Sequence, residues 1–471
     1  MPQPFINRRN FLATCAGCAA SATCSALAGQ TSSPLVSLPS IPTEKTKLRL
    51  VFTHIPPEKA TWPYQGYDYE GRKKALTAQL QKACPNVEFL PATAVNADEA
   101  KKILENDAEV DGYVVYIVGI WSRAPKTIYD SGRPTLLVDD LYAGSGEYLI
   151  DISDAKRRGL KVAGISSSRF SDVVEGIKAF EVMKKLRCSL ILDVTNGNLG
   201  ARGTAVEELF GTKVKKITGE EISAAYQKAD RAEARKYAFR WTKEALKVVE
   251  PSPEEIRKSA GMYIAMRNLM AENKSTALTI NCLNLFYAGL LPAYPCLGLF
   301  QLNNDGLVGA CEADLESTIT MLLMTYLTGR PGYISDPVVD TSKNQIIYAH
   351  CVAPNKVFGP KGPANPYEIR SHSEDRKGAA VRSLMPLNQA VTTLKYHPIR
   401  KEVIIHTAQT VANIDEDKAC RTKLAATVKD MNKIQSQWDQ HGWHRVTVYG
   451  NYRRQVDTIS ALLGFSVVDE G

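Results

Sequence analysis

The sequence has few features of a disulfide framework or of a thiolate zinc site. Of its ten cysteines, three lie in the first thirty residues, and the other seven are widely spaced and odd in number. None of these seven forms a C-x-x-C pair, the spacing typical of thiolate zinc sites and dithiol redox motifs. We therefore expect buried thiols in a protein that folds in the cytoplasm, and the formation of one or two disulfides afterwards stays open.

The chain also lacks a basic stripe and a long apolar run. Its formal net charge is +8, but Lys and Arg are spread along the chain instead of clustering with aromatic residues, so no nucleic-acid partner is expected. The apolar run at 13–28 is too short and too rich in Ala, Ser and Thr for a membrane span. The 44% apolar and 23% charged content fits an ordinary globular chain of two or three domains.

The first thirty residues have the order of an export signal. Arg8 and Arg9 precede a weakly apolar run, and small residues at 26–28 suit a signal peptidase. Paired arginines in this setting resemble a bacterial twin-arginine signal. This predicts a signal peptide at 1–28, a linker rich in Ser, Pro and Thr at 29–46, and export of the folded protein by the twin-arginine machinery to the periplasm or another extracytoplasmic site.

After the linker, apolar runs alternate with amphipathic helical patterns. This alternation predicts an α/β domain with a parallel sheet over 47–165 and a second such domain over 166–300. The last part of the chain, 301–471, mixes strands and helices and predicts an α+β domain of catalytic type. Two local predictions are one long helical stretch at 220–249 and a strand at 298–302.

Two carboxylates are predicted to meet at one edge of a sheet. An apolar strand at 308–311 delivers Glu312, a helix follows, and a short strand at 332–334 delivers Asp336. A strand–helix–strand crossover normally makes its two strands parallel, so both carboxylates would lie at the edge where open α/β sheets bind ligands. Asp314 is interpreted as the cap of the intervening helix, and a purely structural role stays open for Glu312.

Two histidines stand at strand ends where they can join these carboxylates. His350 ends an apolar strand and His444 begins a later one, although either alone is also compatible with structural hydrogen bonding. Two carboxylates with one or two imidazoles suit Mn²⁺, Co²⁺ or Mg²⁺ rather than a thiolate-bound Zn²⁺. His372, in a polar loop, and Trp443, beside His444, are further candidates for substrate contacts, although the loop position of His372 favours a surface role.

These segments resemble the L-fucose isomerase and L-arabinose isomerase superfamily. The resemblance is specific over about 295–351 and 442–452 and is only architectural over 47–290. It rests on Pro-Cys at 295–296, Cys-Glu-Ala-Asp at 311–314, Leu-Thr-Gly-Arg-Pro at 327–331, Asp-Pro at 336–337, Gly-x-His at 442–444 and Tyr-Gly-Asn at 449–451.

The resemblance implies a metal-dependent aldose–ketose isomerase. In L-fucose isomerases a Glu, an Asp and a distant His hold Mn²⁺, and Glu312, Asp336 and His444 match these positions. In L-arabinose isomerases a further His joins the site, and His350 is the candidate here, as a fourth ligand or as a substrate contact. The resemblance also implies two Rossmann-like domains before the mixed C-terminal domain, a monosaccharide substrate, and a homo-oligomer (a trimer or hexamer) in which a neighbouring N-terminal domain closes the pocket.

The residues and the resemblance leave three functions open. An isomerase would move a proton between C1 and C2 of the sugar through a cis-enediol, with Glu312 and Asp336 as both metal ligands and acid/base groups. The residue that acts as base stays open. An exported sugar-binding protein would not need two carboxylates and an imidazole at one point. An epimerase or a lyase would use the same enediolate and differ only in its product.

Overall fold

The structure is a computed structural model and describes residues 38–471. The predicted signal peptide, with Arg8 and Arg9, lies outside the described residues, as does the predicted linker up to residue 37. No helix in the described part of the chain is long and apolar enough to cross a membrane.

The first part of the chain is a doubly wound α/β unit. Its elements are β1 (Thr46–Thr53), α1 (Tyr69–Ala83), β2 (Val87–Ala94), α2 (Ala97–Glu105), β3 (Gly112–Ile117), α3 (Ala124–Tyr129), β4 (Thr135–Asp139), α4 (Ser145–Arg157) and β5 (Val162–Ser166). The five strands are parallel and lie in the order β2-β1-β3-β4-β5. The central strand β3 is apolar and buried along its whole length, as expected for a parallel strand covered on both faces. The predicted parallel sheet is confirmed.

The second part contains another parallel sheet. Its elements are α5 (Phe170–Arg187), β6 (Leu190–Val194), α6 (Gly200–Phe210), β7 (Lys213–Ile217), α7 (Gly219–Gln227), α8 (Arg231–Glu244), β8 (Lys247–Val248), α9 (Pro253–Glu272), β9 (Ala277–Ile280), α10 (Cys282–Tyr287), α11 (Cys296–Asn304), β10 (Val308–Cys311) and α12 (Leu315–Thr328). Four of the strands form a sheet in the order β10-β9-β6-β7. β10 lies at an edge of this sheet and pairs with β9.

The third part is built around an antiparallel barrel. Its elements are β11 (Tyr333–Asp340), a 3₁₀ turn (Thr341–Lys343), β12 (Gln345–His350), β13 (Tyr367–Arg370), β14 (Ala380–Ser383), β15 (Ala390–His397), β16 (Glu402–Asn413), β17 (Thr422–Val428), α13 (Met431–Gln437), a second 3₁₀ turn (Trp438–His441), β18 (Arg445–Tyr449), α14 (Arg453–Leu463) and β19 (Ser466–Asp469). The strand order is β15-β18-β11-β12-β17-β16-β19, and β15 also pairs with β16. This extra pairing closes six strands into a ring, and β19 lies outside it against β16.

The three parts share buried apolar surface. Side chains from the first sheet, the second sheet and the outside of the barrel form one continuous core. A second core covers the other face of the first sheet, and a third lies among the barrel strands. A small sheet of β8, β13 and β14 links the second part to the third, because β8 pairs with β13 in parallel.

Two local predictions of secondary structure are wrong. The segment 298–302 is not a strand but the middle of helix α11, and all nine residues of that helix are buried. A continuous apolar run has no period, so it does not distinguish a buried helix from a buried strand. The stretch 220–249 is not one helix but the two helices α7 and α8 followed by β8, and the break lies before Asp230, which caps α8.

The predicted crossover between 308–311 and 332–334 is also wrong. Strand β10 belongs to the second sheet, whereas β11 belongs to the barrel and is antiparallel to β12 and β18. The reason is local, since β11 and β12 are joined by a single 3₁₀ turn and pair directly as a hairpin. Glu312 and Asp336 therefore do not lie at one edge of a common sheet. They meet across the boundary between the second sheet and the barrel.

Candidate active site

Glu312 lies at a sharp reversal of the backbone after β10. Glu312 and Ala313 both have left-handed φ values, 65° and 54°, a conformation that costs energy for residues other than Gly and is concentrated at functional sites. The chain then enters α12, where the Asp314 side chain accepts the backbone N–H of Ser317 at 3.0 Å as an N-cap. The reversal turns the Glu312 side chain towards the barrel and leaves it 37% exposed.

The barrel places Asp336, His350 and His444 on neighbouring strands. In the pairing of β11 with β12, Asp336 lies opposite Ala349, which is the residue before His350. In the pairing of β11 with β18, Ser335 lies opposite Arg445, which is the residue after His444. Ligand atoms of Asp336, His350 and His444 all lie within 4.8 Å of one another.

Glu312 joins this group from the second sheet. Its Oε2 is 3.5 Å from His444 Nε2 and its Oε1 is 3.9 Å from His350 Nε2. His444 Nε2 is also 3.3 Å from Asp336 Oδ1. The structure therefore brings together Glu312, Asp336, His350 and His444, the four residues that the sequence singled out as metal ligands.

The His444 ring is oriented by a carboxylate behind it. His444 Nδ1 is 3.0 Å from Asp314 Oδ2, and the same oxygen accepts a bond from Lys395 Nζ at 2.9 Å. Donation from Nδ1 to Asp314 leaves the lone pair of Nε2 directed at Glu312 and Asp336. This carboxylate–histidine arrangement is the one that supports a metal-ligating imidazole.

The arrangement of polar atoms fits a cation. His444 Nε2 and His350 Nε2 are buried and have no hydrogen-bond partner among residues 38–471, which is costly unless another group occupies the space between them. The cluster contains three carboxylates, those of Glu312, Asp314 and Asp336, and one ammonium group, that of Lys395. Burial on its own would lower the pKa of His444, but Asp314 and Asp336 raise that pKa to about 9, so the cluster favours positive charge at its centre.

His350 differs from His444 in the state of its ring. The backbone N–H of Cys351 donates to His350 Nδ1 at 2.9 Å, so Nδ1 is the acceptor and a neutral ring carries its proton on Nε2. A protonated Nε2 is a hydrogen-bond donor and not a metal ligand. This geometry favours His350 as a substrate contact, one of the two roles considered from the sequence.

A cavity of about 370 Å³ opens over Glu312, Asp336 and His350, within the size range of small-molecule sites. His372 and Trp443 both line it, together with Glu312, Asp336 and His350. The Trp443 indole N–H donates to Asp336 Oδ1 at 2.7 Å while the residue stays 64% exposed. The His372 ring stacks on Tyr294, with ring centroids 5.1 Å apart, so this loop histidine is a wall of the cavity and not a surface residue.

Sequence reasoning missed three features of the site. Asp314 is a helix cap, as predicted, but it also holds His444. Lys395, in β15, is 3% exposed and neutralises Asp314; the only signal in the sequence was a Lys between Leu394 and Tyr396. The third feature is a thiol lining of the cavity, contributed by Cys282, Cys296, Cys311, Cys351 and Cys420.

Comparison with known proteins finds partial matches. No protein-family model matches the chain. The chain is 29% identical over 147 residues to a protein named sulfoquinovose isomerase from Clostridium sp. (strain MSTE9), covering 30% of this chain and 32% of that protein. It is 33% identical over 100 residues to the protein of the same name from Alkalicoccus urumqiensis, covering 21% and 22%. It is 31% identical over 102 residues to that from Priestia aryabhattai, covering 21% and 23%. The chain thus spans about a third or less of the length of these relatives.

Proposed function

We propose that this protein is a metal-dependent aldose–ketose isomerase that acts on a monosaccharide through a cis-enediol. The observation that carries the proposal is the convergence of Glu312, Asp336 and the unpartnered Nε2 of His444, with Asp314 fixing the His444 ring. The partial similarity to sulfoquinovose isomerases agrees with this reaction class.

Glu312, Asp336 and His444 would hold the divalent cation. Two carboxylates and one imidazole suit Mn²⁺, Co²⁺ or Mg²⁺. The cation would supply positive charge opposite the oxyanion that develops while the proton moves between C1 and C2.

The Asp336 and Glu312 side chains differ in how firmly they are held, and we assign their roles from this difference. Asp336 is fixed on both oxygens, because Oδ1 accepts from Trp443 Nε1 at 2.7 Å and Oδ2 accepts from Cys420 Sγ at 3.4 Å. Glu312 is the more exposed and sits on a strained turn. We assign Asp336 chiefly to holding the cation and Glu312 to taking the proton from the sugar carbon. The His350 Nε2–H donates to a sugar oxygen beside it.

The substrate is proposed as a monosaccharide, with sulfoquinovose as the first candidate to assay. The described residues that line the cavity include no Lys and no Arg, so this chain offers a sulfonate no guanidinium or ammonium inside the cavity itself. A neutral aldose therefore belongs in the same assay. If sulfoquinovose is the substrate, its sulfonate points out of the cavity, towards solvent or a partner subunit.

We also propose that the protein is exported and assembles as a homo-oligomer. Arg8 and Arg9 support export by the twin-arginine route, which carries folded proteins and would let the cation bind before export. The exposed Trp443 leaves the cavity open on one side, and the N-terminal unit exposes Trp121 and Tyr142. A second copy that packs this aromatic edge over the cavity would complete it, as the family resemblance implies.

The proposal is tested by an isomerase assay across a panel of aldoses with and without sulfoquinovose, in the presence of Mn²⁺. Wild type and Glu254→Gln, a carboxylate change on the exposed face of α9, are expected to convert an aldose to its ketose. Glu312→Gln and Asp336→Asn are expected to lose this activity. Tight sugar binding without turnover would instead indicate a binding protein. A C2 epimer or an elimination product would indicate an epimerase or a lyase.

A further inference from the structure

The cavity is lined by most of the cysteines in the described part of the chain. The structure describes seven cysteines, all as free thiols, and five of them line this one cavity: Cys282, Cys296, Cys311, Cys351 and Cys420. The proposed isomerisation uses none of these thiols as an acid, base or ligand. Their concentration at one place is therefore unexplained by the proposed function.

Cys282 and Cys311 form a dithiol at the floor of the cavity. Cys311 is the last residue of β10, and Cys282 opens α10 directly after the neighbouring parallel strand β9. Because the carboxyl ends of both strands meet at the same edge of the sheet, the two Sγ atoms lie 3.4 Å apart. Both residues are about 3% exposed, and both line the cavity.

Glu312 lies beside one thiol of this dithiol, that of Cys311. Cys311 Sγ, a Glu312 carboxylate oxygen and a ring nitrogen of His350 all lie within 4.8 Å of one another. Glu312 Oε2 lies 3.5 Å from His444 Nε2, and Glu312 Oε1 lies 3.9 Å from His350 Nε2. One carboxylate thus borders both the oxygen- and imidazole-rich cluster and the dithiol.

We propose that Cys282, Cys311 and Glu312 form a second metal position in the cavity, selective for thiophilic divalent cations such as Zn²⁺ and Cd²⁺. Two thiolates and one carboxylate, with the fourth position open to the cavity, are a donor set of the kind that Zn²⁺ takes in sites with an open position. Thiolate ligands select such softer cations over Mn²⁺ and Mg²⁺, which prefer oxygen. Each thiol would bind as a thiolate and release its proton to solvent.

The shared carboxylate gives this second position a consequence for the first. A cation held by Cys282, Cys311 and Glu312 Oε1 draws the Glu312 side chain away from His444. Zn²⁺ or Cd²⁺ would therefore weaken the binding of Mn²⁺ to the neighbouring cluster. This inference stands on the dithiol geometry and does not depend on whether the protein isomerises sugars.

The test is a titration of the reduced full chain with Cd²⁺, measured by thiolate-to-cadmium charge-transfer absorbance in the ultraviolet. The double variant, in which both cysteines are changed to Ser, gives the absorbance that does not depend on this pair. Cys282→Ser and Cys311→Ser are each expected to lose at least half of the difference in absorbance between wild type and this double variant. Cys188→Ser, which removes an exposed thiol that does not line the cavity, is expected to keep it. The three cysteines near the N-terminus are present in every variant, so their contribution cancels. Equal absorbance in wild type and both single variants overturns the proposal.

A second measurement uses the unmutated protein and so does not depend on the folding of a variant. The reduced chain is alkylated with a maleimide with and without Cd²⁺, and each cysteine is read by peptide mass spectrometry. Cd²⁺ is expected to slow the alkylation of Cys282 and Cys311 at least about tenfold, and to leave Cys188 unchanged. Equal alkylation of Cys282 and Cys311 with and without Cd²⁺ overturns the proposal.

Discussion

Replacing Asp314 with Asn tests how the His444 ring is held. Asn is as good an N-cap as Asp, so the side-chain oxygen can keep the bond to Ser317 and α12 still begins at the same place. The amide nitrogen then faces His444 Nδ1 and Lys395 Nζ, both of which are donors in the native arrangement. His444 can relieve the conflict by moving its proton to Nε2, and a protonated Nε2 does not bind a metal.

The size of the effect follows from these contacts. Loss of a carboxylate that holds a metal-ligating histidine typically costs about 10- to 100-fold in metal affinity, which corresponds to about 1.4–2.8 kcal/mol. The stability loss is expected to be about 1–3 kcal/mol, because a buried donor loses its acceptor. Lys395 retains one carboxylate, Glu316 at 3.6 Å, and this limits the loss.

The assay compares the Mn²⁺ dissociation constants of wild type and Asp314→Asn by calorimetry, with thermal unfolding of the same samples. Asp230→Asn is the matched control, since Asp230 caps α8 through two backbone N–H groups and lies outside the cavity lining. It is expected to bind Mn²⁺ like wild type. If folded Asp314→Asn also binds Mn²⁺ within twofold of wild type, the reasoning about the orientation of His444 is refuted.

Three further predictions concern single side chains. His350→Asn is expected to keep Mn²⁺ affinity within about threefold while kcat falls about 100-fold or more, as for loss of a positioned donor; a parallel loss of Mn²⁺ binding would show that His350 is a ligand. Burial alone would raise the pKa of Glu470, but His406 and Arg445 lower it to about 2, against about 4.3 in the unfolded chain. Glu470 therefore contributes about 3 kcal/mol that is present above about pH 4.3 and is lost as the pH falls towards about 2. The difference in free energy of unfolding between wild type and Glu470→Gln should shrink between about pH 5 and about pH 2, and a pH-independent difference would contradict this. Trp443→Phe is expected to change the free energy of unfolding by less than about 0.5 kcal/mol, because the side chain is largely exposed. It is also expected to raise KM or weaken Mn²⁺ binding, since it removes an indole N–H donor to the site. Unchanged kinetics and binding would assign Trp443 no role.

The sequence was most informative where patterning is regular. Alternation of apolar strands and amphipathic helices predicted the parallel first sheet, because a strand such as β3, buried on both faces, is apolar throughout. The same reasoning failed at 298–302, where α11 is buried on every side and loses the helical period. It also failed to predict that the last strands close into a barrel. β15 forms a local hairpin with β16, but the ring closes through its pairing with β18, which lies far along the chain.

The structure brings the four predicted residues together, but by a different construction from the one that the sequence predicted. Glu312 and Asp336 do converge, but a hairpin in the barrel presents Asp336, and a left-handed turn presents Glu312. Residue spacing does not reveal such packing between two sheets. Asp314 shows the remaining limit, because its capping role is local and readable, whereas its bond to His444 joins residues 130 positions apart.

The most direct test of the proposed cation site at Glu312, Asp336 and His444 is the number of Mn²⁺ ions that the full chain binds. Paramagnetic resonance titration reports free Mn²⁺ and so gives the stoichiometry and affinity without any assumption about the substrate. We expect one tight ion per chain in wild type and in Glu254→Gln. In Glu312→Gln and Asp336→Asn the affinity is expected to be at least about 100-fold weaker, beyond what loss of a group that only holds a ligand typically costs. Equal Mn²⁺ binding by all four proteins would contradict it.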